Sequence, residues 1–291
     1  MPGPNIYDLQ QVFFDESYFI RYLGGCLVFY PAIQCETCGF EMSMNMNRQK
    51  YRCLRRQCNN ECSIRKFTFF YGSALTCSKI MLLAFLWVNS APWTCALGIT
   101  GHSEHTVSRF YNHFRVLVTS ALDEDDSIIG GPNVEVEIDE TKLGKRKYHR
   151  GHRVDGVWVV VGVERTLERR VFLVAVPDRS VMTLSEVIRS HVRPGSIILT
   201  DMWRGYSSLE ELGFQHRQVN HSVEFVSFEG TCTNTAEGTN NALKLRIRPR
   251  NRTRDGIAEH LGEFVWRRKS GNDMWGSFIS ALRDVHYTFD E

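Results

Sequence analysis

The chain has 291 residues, 43% of them hydrophobic, and a formal net charge of only +2. That length buries a sizeable core and predicts two or three domains, while so small a net charge excludes a uniformly basic coat and confines any nucleic-acid affinity to local patches. No apolar run reaches the roughly 20 residues of a membrane span, and Met1-Pro2-Gly3-Pro4 lacks the basic start of a secretory leader. Nine cysteines, four of them at zinc-like spacing, point to a reducing compartment rather than a disulfide framework. The sequons at Asn220 and Asn251 are then incidental.

Residues 1–34 carry Phe13, Phe14, Tyr18, Phe19, Tyr22 and Leu23 around acidic Asp15 and Glu16, and predict one short amphipathic helix with a packing role. Residues 35–73 open with Cys35-x2-Cys38 and continue with Cys53-x4-Cys58. Two cysteine-bearing turns joined by a strand-length spacer supply the four thiolates of a tetrahedral Zn2+ ribbon. Free cysteines on buried strands are the plain alternative, and Cys62 is a candidate to replace Cys58. The ribbon is also basic, with Arg48, Lys50, Arg52, Arg55, Arg56, Arg65 and Lys66, which suits phosphate contact. Residues 74–122 turn helical: Ser78 is placed to cap the apolar run from Ile80 to Leu86, Pro92 starts a second segment and Ser103 a third. With a turn at Ile99-Thr100-Gly101-His102 this predicts a helix-turn-helix DNA-binding region. Its third helix, Glu104 to Leu122, presents His105, Ser108, Arg109, Asn112 and Arg115. An ordinary three-helix packing unit fits the same pattern. Residues 123–133, with Asp123-Glu124-Asp125-Asp126 and then Gly130-Gly131-Pro132, read as an acidic linker.

Residues 134–291 hold the candidate chemistry. Val134-Glu135-Val136-Glu137-Ile138-Asp139-Glu140-Thr141 alternates apolar and acidic residues at strand period, so Val134, Val136 and Ile138 face one side and Asp139 the other. Beyond it lies a basic turn with Lys142, Lys145, Arg146, Lys147 and Arg150, either a solvated hairpin tip or a seat for a DNA backbone. Val157–Val163 and Val171–Val176 are strand-like, Met182 to Val192 is helical by period, and Ser196–Thr200 is a strand with Asp201 at its tip. Three antiparallel strands, a helix and a further strand ending in an acid predict an α/β, RNase H-like layout. A third acid, Glu237, follows Asn234 at capping-box spacing. Lys244 nonetheless lies seven positions on, on the same helical face, where a metal carboxylate and a phosphate-seeking ammonium would meet a DNA end. Asp139, Asp201 and Glu237 together make the skeleton of a two-metal phosphoryl-transfer site. Lys244, Arg246, Arg248, Arg250, Arg252 and Arg254 then alternate as a backbone clamp, or as a solvated loop, and two closing helices, from Phe264 and from Phe278, are expected to pack on the sheet.

Several stretches carry a family resemblance: Tyr51-Arg52-Cys53, Ser63-Ile64-Arg65-Lys66-x-Thr68-Phe69-Phe70, Thr200-Asp201-x-Trp203-Arg204-Gly205-Tyr206, Asn220-His221-Ser222, Thr233-Asn234-Thr235-x-Glu237-Gly238 and Glu263-Phe264-Val265-Trp266-Arg267-Arg268, besides the strand around Asp139. Over nearly all its length the chain resembles DDE transposases of the Merlin superfamily and is similar to the bacterial ISXO2-like transposase domain. The resemblance implies a zinc ribbon, a helix-turn-helix and an RNase H-like catalytic core, the D-D-E roles at Asp139, Asp201 and Glu237, and the lysine of an E-x6-K signature at Lys244. Thirty-five residues, 202 to 236, separate the last two acids, as in D-D-35-E enzymes. Some relatives use asparagine as the third ligand, which leaves Asn234 as the alternative. Implied too are Mg2+ or Mn2+ at the acids, end cleavage and 3′-OH joining to target DNA, terminal inverted repeats and target DNA as partners, a dimeric or higher synaptic assembly, and a nuclear protein in a eukaryotic host or a cytoplasmic, nucleoid-associated one otherwise. A domesticated DNA-binding protein without transposition, or a plain RNase H-like nuclease, are the competing readings.

Overall fold

In the computed structural model, residues 3–144, 156–219 and 234–285 are described. Two compact units emerge, residues up to Ala121 together with those from Ser270 on, and Leu122–Lys269.

The first unit begins with two helices, α1 (Gln10–Phe14) and α2 (Glu16–Gly25), where the sequence predicted one. The break is chemical: Asp15 adopts extended backbone and its carboxylate accepts from the amides of Ser17 and Tyr18, restarting the helix as an N-cap. A four-stranded antiparallel sheet follows, β1 (Ala32–Gln34), β2 (Glu41–Asn45), β3 (Lys50–Cys53) and β4 (Glu61–Ser63), in sequential order. Helices α3 (Cys77–Val88), α4 (Trp93–Thr100) and α5 (Glu104–Ser120) come next. The α3 cap is Thr76, two residues before the predicted Ser78, its hydroxyl accepting from the amide of Lys79. Gly101 ends α4 at φ +66°, a left-handed turn that side chains adopt poorly, and Ser103 caps α5. Val107, Phe114, Leu117 and Val118 form the buried stripe of α5, which leaves His105, Ser108, Arg109 and Asn112 exposed and Arg115 partly so.

The second unit is built on a five-stranded sheet of β5 (Glu135–Leu143), β6 (Val157–Glu164), β7 (Val171–Val176), β8 (Ile197–Asp201) and β9 (Gln215–Val219) in the order β7-β6-β5-β8-β9. The β5-β6-β7 pairs are antiparallel; β8 runs parallel to β5, and β9 parallel to β8. Strand β6 is apolar from Val157 to Val163, with Glu164 at its end, because helices cover both faces of the sheet. On one side α6 (Val181–His191) brings Leu184, Val187 and Ile188 onto Val136, Ile138, Val160 and Phe172. On the other, α7 (Asn234–Arg246) and α8 (Ile257–Ser270) bring Ala236, Leu243, Ile257, Leu261 and Phe264 onto Val159, Val161 and Val163. Gly162 sits opposite Phe172 across β6 and β7, and a β-carbon there would lie 2.1 Å from the ring, so only glycine admits that aromatic.

Two expectations change. The acidic segment 123–133 is packed, not loose: Glu124–Ser127 form a 3-10 turn, Ile129 is fully buried, and Arg193 and Lys269 reach Asp125 and Asp126 at 3.0 and 2.7 Å. The last helix, α9 (Met274–Asp284), does not lie on the sheet; Trp275 and Phe278 pack against Phe13, Phe85, Trp87 and Phe114 of the first unit, with rings 5.5–6.2 Å apart. Its aromatic stripe meets aromatic partners there rather than the valine-rich sheet. Among the described residues no helix is long and apolar enough to cross a membrane.

Candidate functional site

The parallel pairing of β5 with β8 places the first two acids. Glu135, Val136 and Glu137 lie opposite Ile197, Ile198 and Leu199, and the same offset carries Asp139 level with Asp201 at the C-terminal end of β8. Strand alternation turns both side chains to the face that α7 covers. Glu237 sits in the first turn of that helix.

What fixes the start of α7 is a carboxylate from the sheet. Glu137 is fully buried, and its Oε2 accepts from the amides of Thr235 and Ala236 at 2.8 and 2.9 Å, satisfying two of the N–H groups a helix start leaves open. Its Oε1 takes Arg165 Nε at 2.6 Å; Arg165 also binds Glu135 at 2.9 Å, and Glu135 binds Arg217 of β9 at 3.1 Å. This chain of charges ties the third acid's helix to the strand that bears the first acid. Glu137→Ala removes a buried ion-pair partner and a helix cap together, so chemical denaturation should show the second unit weakened by about 3–5 kcal/mol. An unchanged midpoint would refute the role.

Asp139 feels the other two acids. Burial pushes the Asp139 carboxyl above its ordinary range, and the negative charges of Asp201 and Glu237 push the same way, against hydrogen bonds from the Glu140 amide and Asn240. Those two bonds are 2.8 Å to Oδ1 and 2.7 Å from Asn240 Nδ2 to Oδ2. Asp201 Oδ1 accepts from the Trp203 amide at 3.0 Å. Asp139 and Asp201 are partly buried and Glu237 is exposed; an all-oxygen set of this kind suits a hard divalent ion. The acids are not drawn tight around one point: among the described residues, only four cysteines place three or more metal-ligating atoms all within 4.8 Å of one another.

On the opposite face Glu140 is pushed up by burial and by Asp201 and Asp139, and Arg179 Nη1 approaches it at 3.7 Å. Arg179 lies between the rings of Trp158 and Trp203, 4.1 and 4.4 Å from their centroids. The Tyr206 hydroxyl, buried beside Glu140, has its own proton held tightly by burial and by that carboxylate; among the described residues neither it nor Glu140 Oε1 has a partner of hydrogen-bond geometry.

Of the basic residues singled out from sequence, Lys244, Arg248 and Arg250 are exposed. Arg246 binds Glu263 at 2.9 Å, and Arg252 donates to the carbonyls of Ile247 and Lys244, so the strip is a helix end folded into a 3-10 turn at Pro249–Asn251. Lys145 and Arg146 fall outside the described residues, as do Asn220-His221-Ser222 and Thr233. Arg109 Nε donates to His113 Nε2 at 3.2 Å and Arg115 reaches Asn112 at 3.3 Å, both on the outer side of α5.

In the ribbon the metal-ligating cluster is Cys35, Cys38, Cys53 and Cys58, without Cys62. Sγ–Sγ distances of 3.7 Å (Cys35–Cys58) and 3.6 Å (Cys38–Cys53) match the edge of about 3.8 Å that a tetrahedron with 2.3 Å Zn–S bonds requires. Both turns end in left-handed backbone just past the second cysteine, at Gly39 and Asn59. These four residues could hold a zinc ion.

Glu137, Glu140 and Asn240 were not singled out from the sequence. Glu137 lies two residues before Asp139 on the same strand face, and Asn240 one turn after Glu237; period places both near the acids but does not say what they bind.

Residues 123–269, just over half of the chain and nearly the whole second unit, match the family described as the ISXO2-like transposase domain. The chain belongs to that family. An uncharacterized transposase-like protein of Haemophilus influenzae is 30% identical over 116 residues, 40% of this chain and 93% of that protein. The ISXO2-like transposase domain thus contains all three acids, Lys244 and the α7 cap, and the family implies DNA as partner and DNA cleavage as the general chemistry.

Proposed function

We propose that this chain is a DDE transposase of the Merlin type, which binds the terminal inverted repeats of its element, cuts the transposon ends and joins the freed 3′-OH to target DNA. What supports this reading is the matching register of Asp139 and Asp201 on the parallel strands β5 and β8, with Glu237 in the first turn of the helix tied to β5, inside the segment that matches the transposase family. The strand order supports an RNase H-like core, since the antiparallel β5-β6-β7 meander continues into parallel β8 and β9.

Each element then has a task. Asp139 and Asp201 hold the cation site from two rigid strands, and Glu237 closes it from α7. Mg2+ or Mn2+ bound there would supply Lewis-acid stabilisation of the attacking and leaving oxygens. Lys244, on the helical face of Glu237, steers the DNA end by its phosphate. The α3-α4-α5 helices serve as a helix-turn-helix, offering Arg109 and Arg115 to the repeat, and the cysteine ribbon, as a Zn2+ module, adds basic contacts. Two ends handled together call for a homodimer or larger synaptic assembly.

The test is a labelled duplex carrying the source element's terminal repeat, incubated with the protein, a target plasmid and Mg2+. Strand transfer confined to the repeat is expected; equal cutting of unrelated duplexes or RNA–DNA hybrids would sink the reading in favour of a general nuclease. A separate check concerns the clamp. Replacing Arg248, Arg250 and Arg254 together should flatten the log–log salt dependence of binding by about 0.9 for each phosphate no longer neutralised; an unchanged slope would remove the strip from the interface.

A further inference from the structure

The core-facing side of α7 carries Ala236, Thr239, Asn240 and Leu243, all nearly inaccessible to solvent, and Ile247 follows just past its end; the Thr239 hydroxyl is satisfied by the Thr235 carbonyl, which leaves Asn240 as the polar group to be explained. Asn240 is 4% exposed. Its Nδ2 donates to Asp139 Oδ2 at 2.7 Å, an orientation the chemistry imposes, because a carboxylate only accepts. That leaves Oδ1 of the same planar amide buried with no hydrogen-bond partner among the described residues. A leucine would fill the stripe without that defect, and an unsatisfied buried acceptor is costly. Such an oxygen, anchored to a carboxylate of the acidic cluster and one helical turn from Glu237, is placed as a ligand-facing group.

We infer that Asn240 is a fourth member of the cation site: its amide N–H2 clamps the Asp139 carboxylate, and its Oδ1 supplies a neutral oxygen facing the coordination shell of the divalent ion. This rests on the reading of Asp139, Asp201 and Glu237 as the cation site. An amide carbonyl is a normal donor for hard cations. It also adds no negative charge to a cluster in which burial and two like charges already oppose ionisation of Asp139. Asn240 acts on the reaction through Asp139 and the ion, so it is a positioning residue.

The experiment is calorimetric titration of MnCl2 into the full, zinc-loaded chain, counting only the binding component that Asp201→Asn abolishes, with the melting temperature of the Mn2+-free protein measured in parallel. Asn240→Leu keeps the volume and removes both polar atoms; Asn240→Ala is the second variant, leaving room for the backbone to settle if leucine does not pack. Both should weaken that component about 10- to 100-fold, the range for losing an outer-shell partner, while each variant still melts cooperatively. Wild-type Mn2+ affinity in either folded variant, or a lowered melting point with affinity intact, overturns the inference and leaves the acidic triad standing. Absence of any such component in the wild type overturns both.

Discussion

Asp201→Asn is expected to abolish end cleavage and strand transfer while leaving repeat binding intact. The loss should be on the order of a thousandfold or more, since stabilisation of developing charge at a cation site is worth several kcal/mol and about 1.4 kcal/mol corresponds to a factor of ten. Asparagine preserves the local fold, because its Oδ1 can still accept from the Trp203 amide. It also removes one of the charges that push the Asp139 carboxyl upward. The metal-free variant should therefore melt above wild type. The sign follows from the direction of the Asp139 shift. An acid whose folded pKa is raised stabilises the fold only while protonated, below its ordinary value of 3.8, and that contribution is lost as pH rises through the raised value. The gap between variant and wild type should accordingly open as pH rises from about 4. Differential scanning at several pH values and a gel-based transfer assay read both effects; cleavage retained by the variant would end the assignment of Asp201.

Loss of the cysteine cluster is the second large effect. Cys53 is buried on β3, its sulfur 3.6 Å from that of Cys38. Cys53→Ser, or strong chelation of wild type, should release one zinc per chain and unfold the β1–β4 sheet, because metal binding to so small a module supplies on the order of 10 kcal/mol. Its strands are three to five residues long, too few to hold without the ion. Limited proteolysis should then cut between residues 32 and 66 while 122–269 resists. A chain that contains no zinc by elemental analysis yet keeps the ribbon protected would contradict this.

Much of the molecule was legible in the sequence because strand and helix periods are local. The valines of β6 marked it as a strand, and Asp139 within β5 and Asp201 at the end of β8 stood out beside apolar residues. Strand β9 did not: Gln215-His216-Arg217-Gln218-Val219 is polar, as befits a strand at the sheet edge, and its parallel pairing is set by tertiary contact. Glu137 and Asn240 escaped for a related reason. Each is explained only by a partner distant in sequence, the start of α7 for one and Asp139 for the other. A polar residue on a buried face has no sequence signature until its partner is known. The break at Asp15 was readable from cap chemistry but hidden by the apolar pattern running through it. The basic strip looked uniform in sequence, whereas Arg246 and Arg252 are engaged within the chain.

The interrupted first unit bears on how the protein is made. Its aromatic core draws on α9, whose Trp275 and Phe278 meet rings as distant in sequence as Phe13 and Phe114. During synthesis the N-terminal helices therefore emerge with an apolar face uncovered and stay so while about 150 residues of the sheet domain are translated, several seconds to half a minute at ribosomal speed. The later-born domain can finish folding first, and the earlier-born one waits for its last helix. A release-timed course of protease protection on stalled ribosome complexes would show 122–269 protected before the helices that precede it.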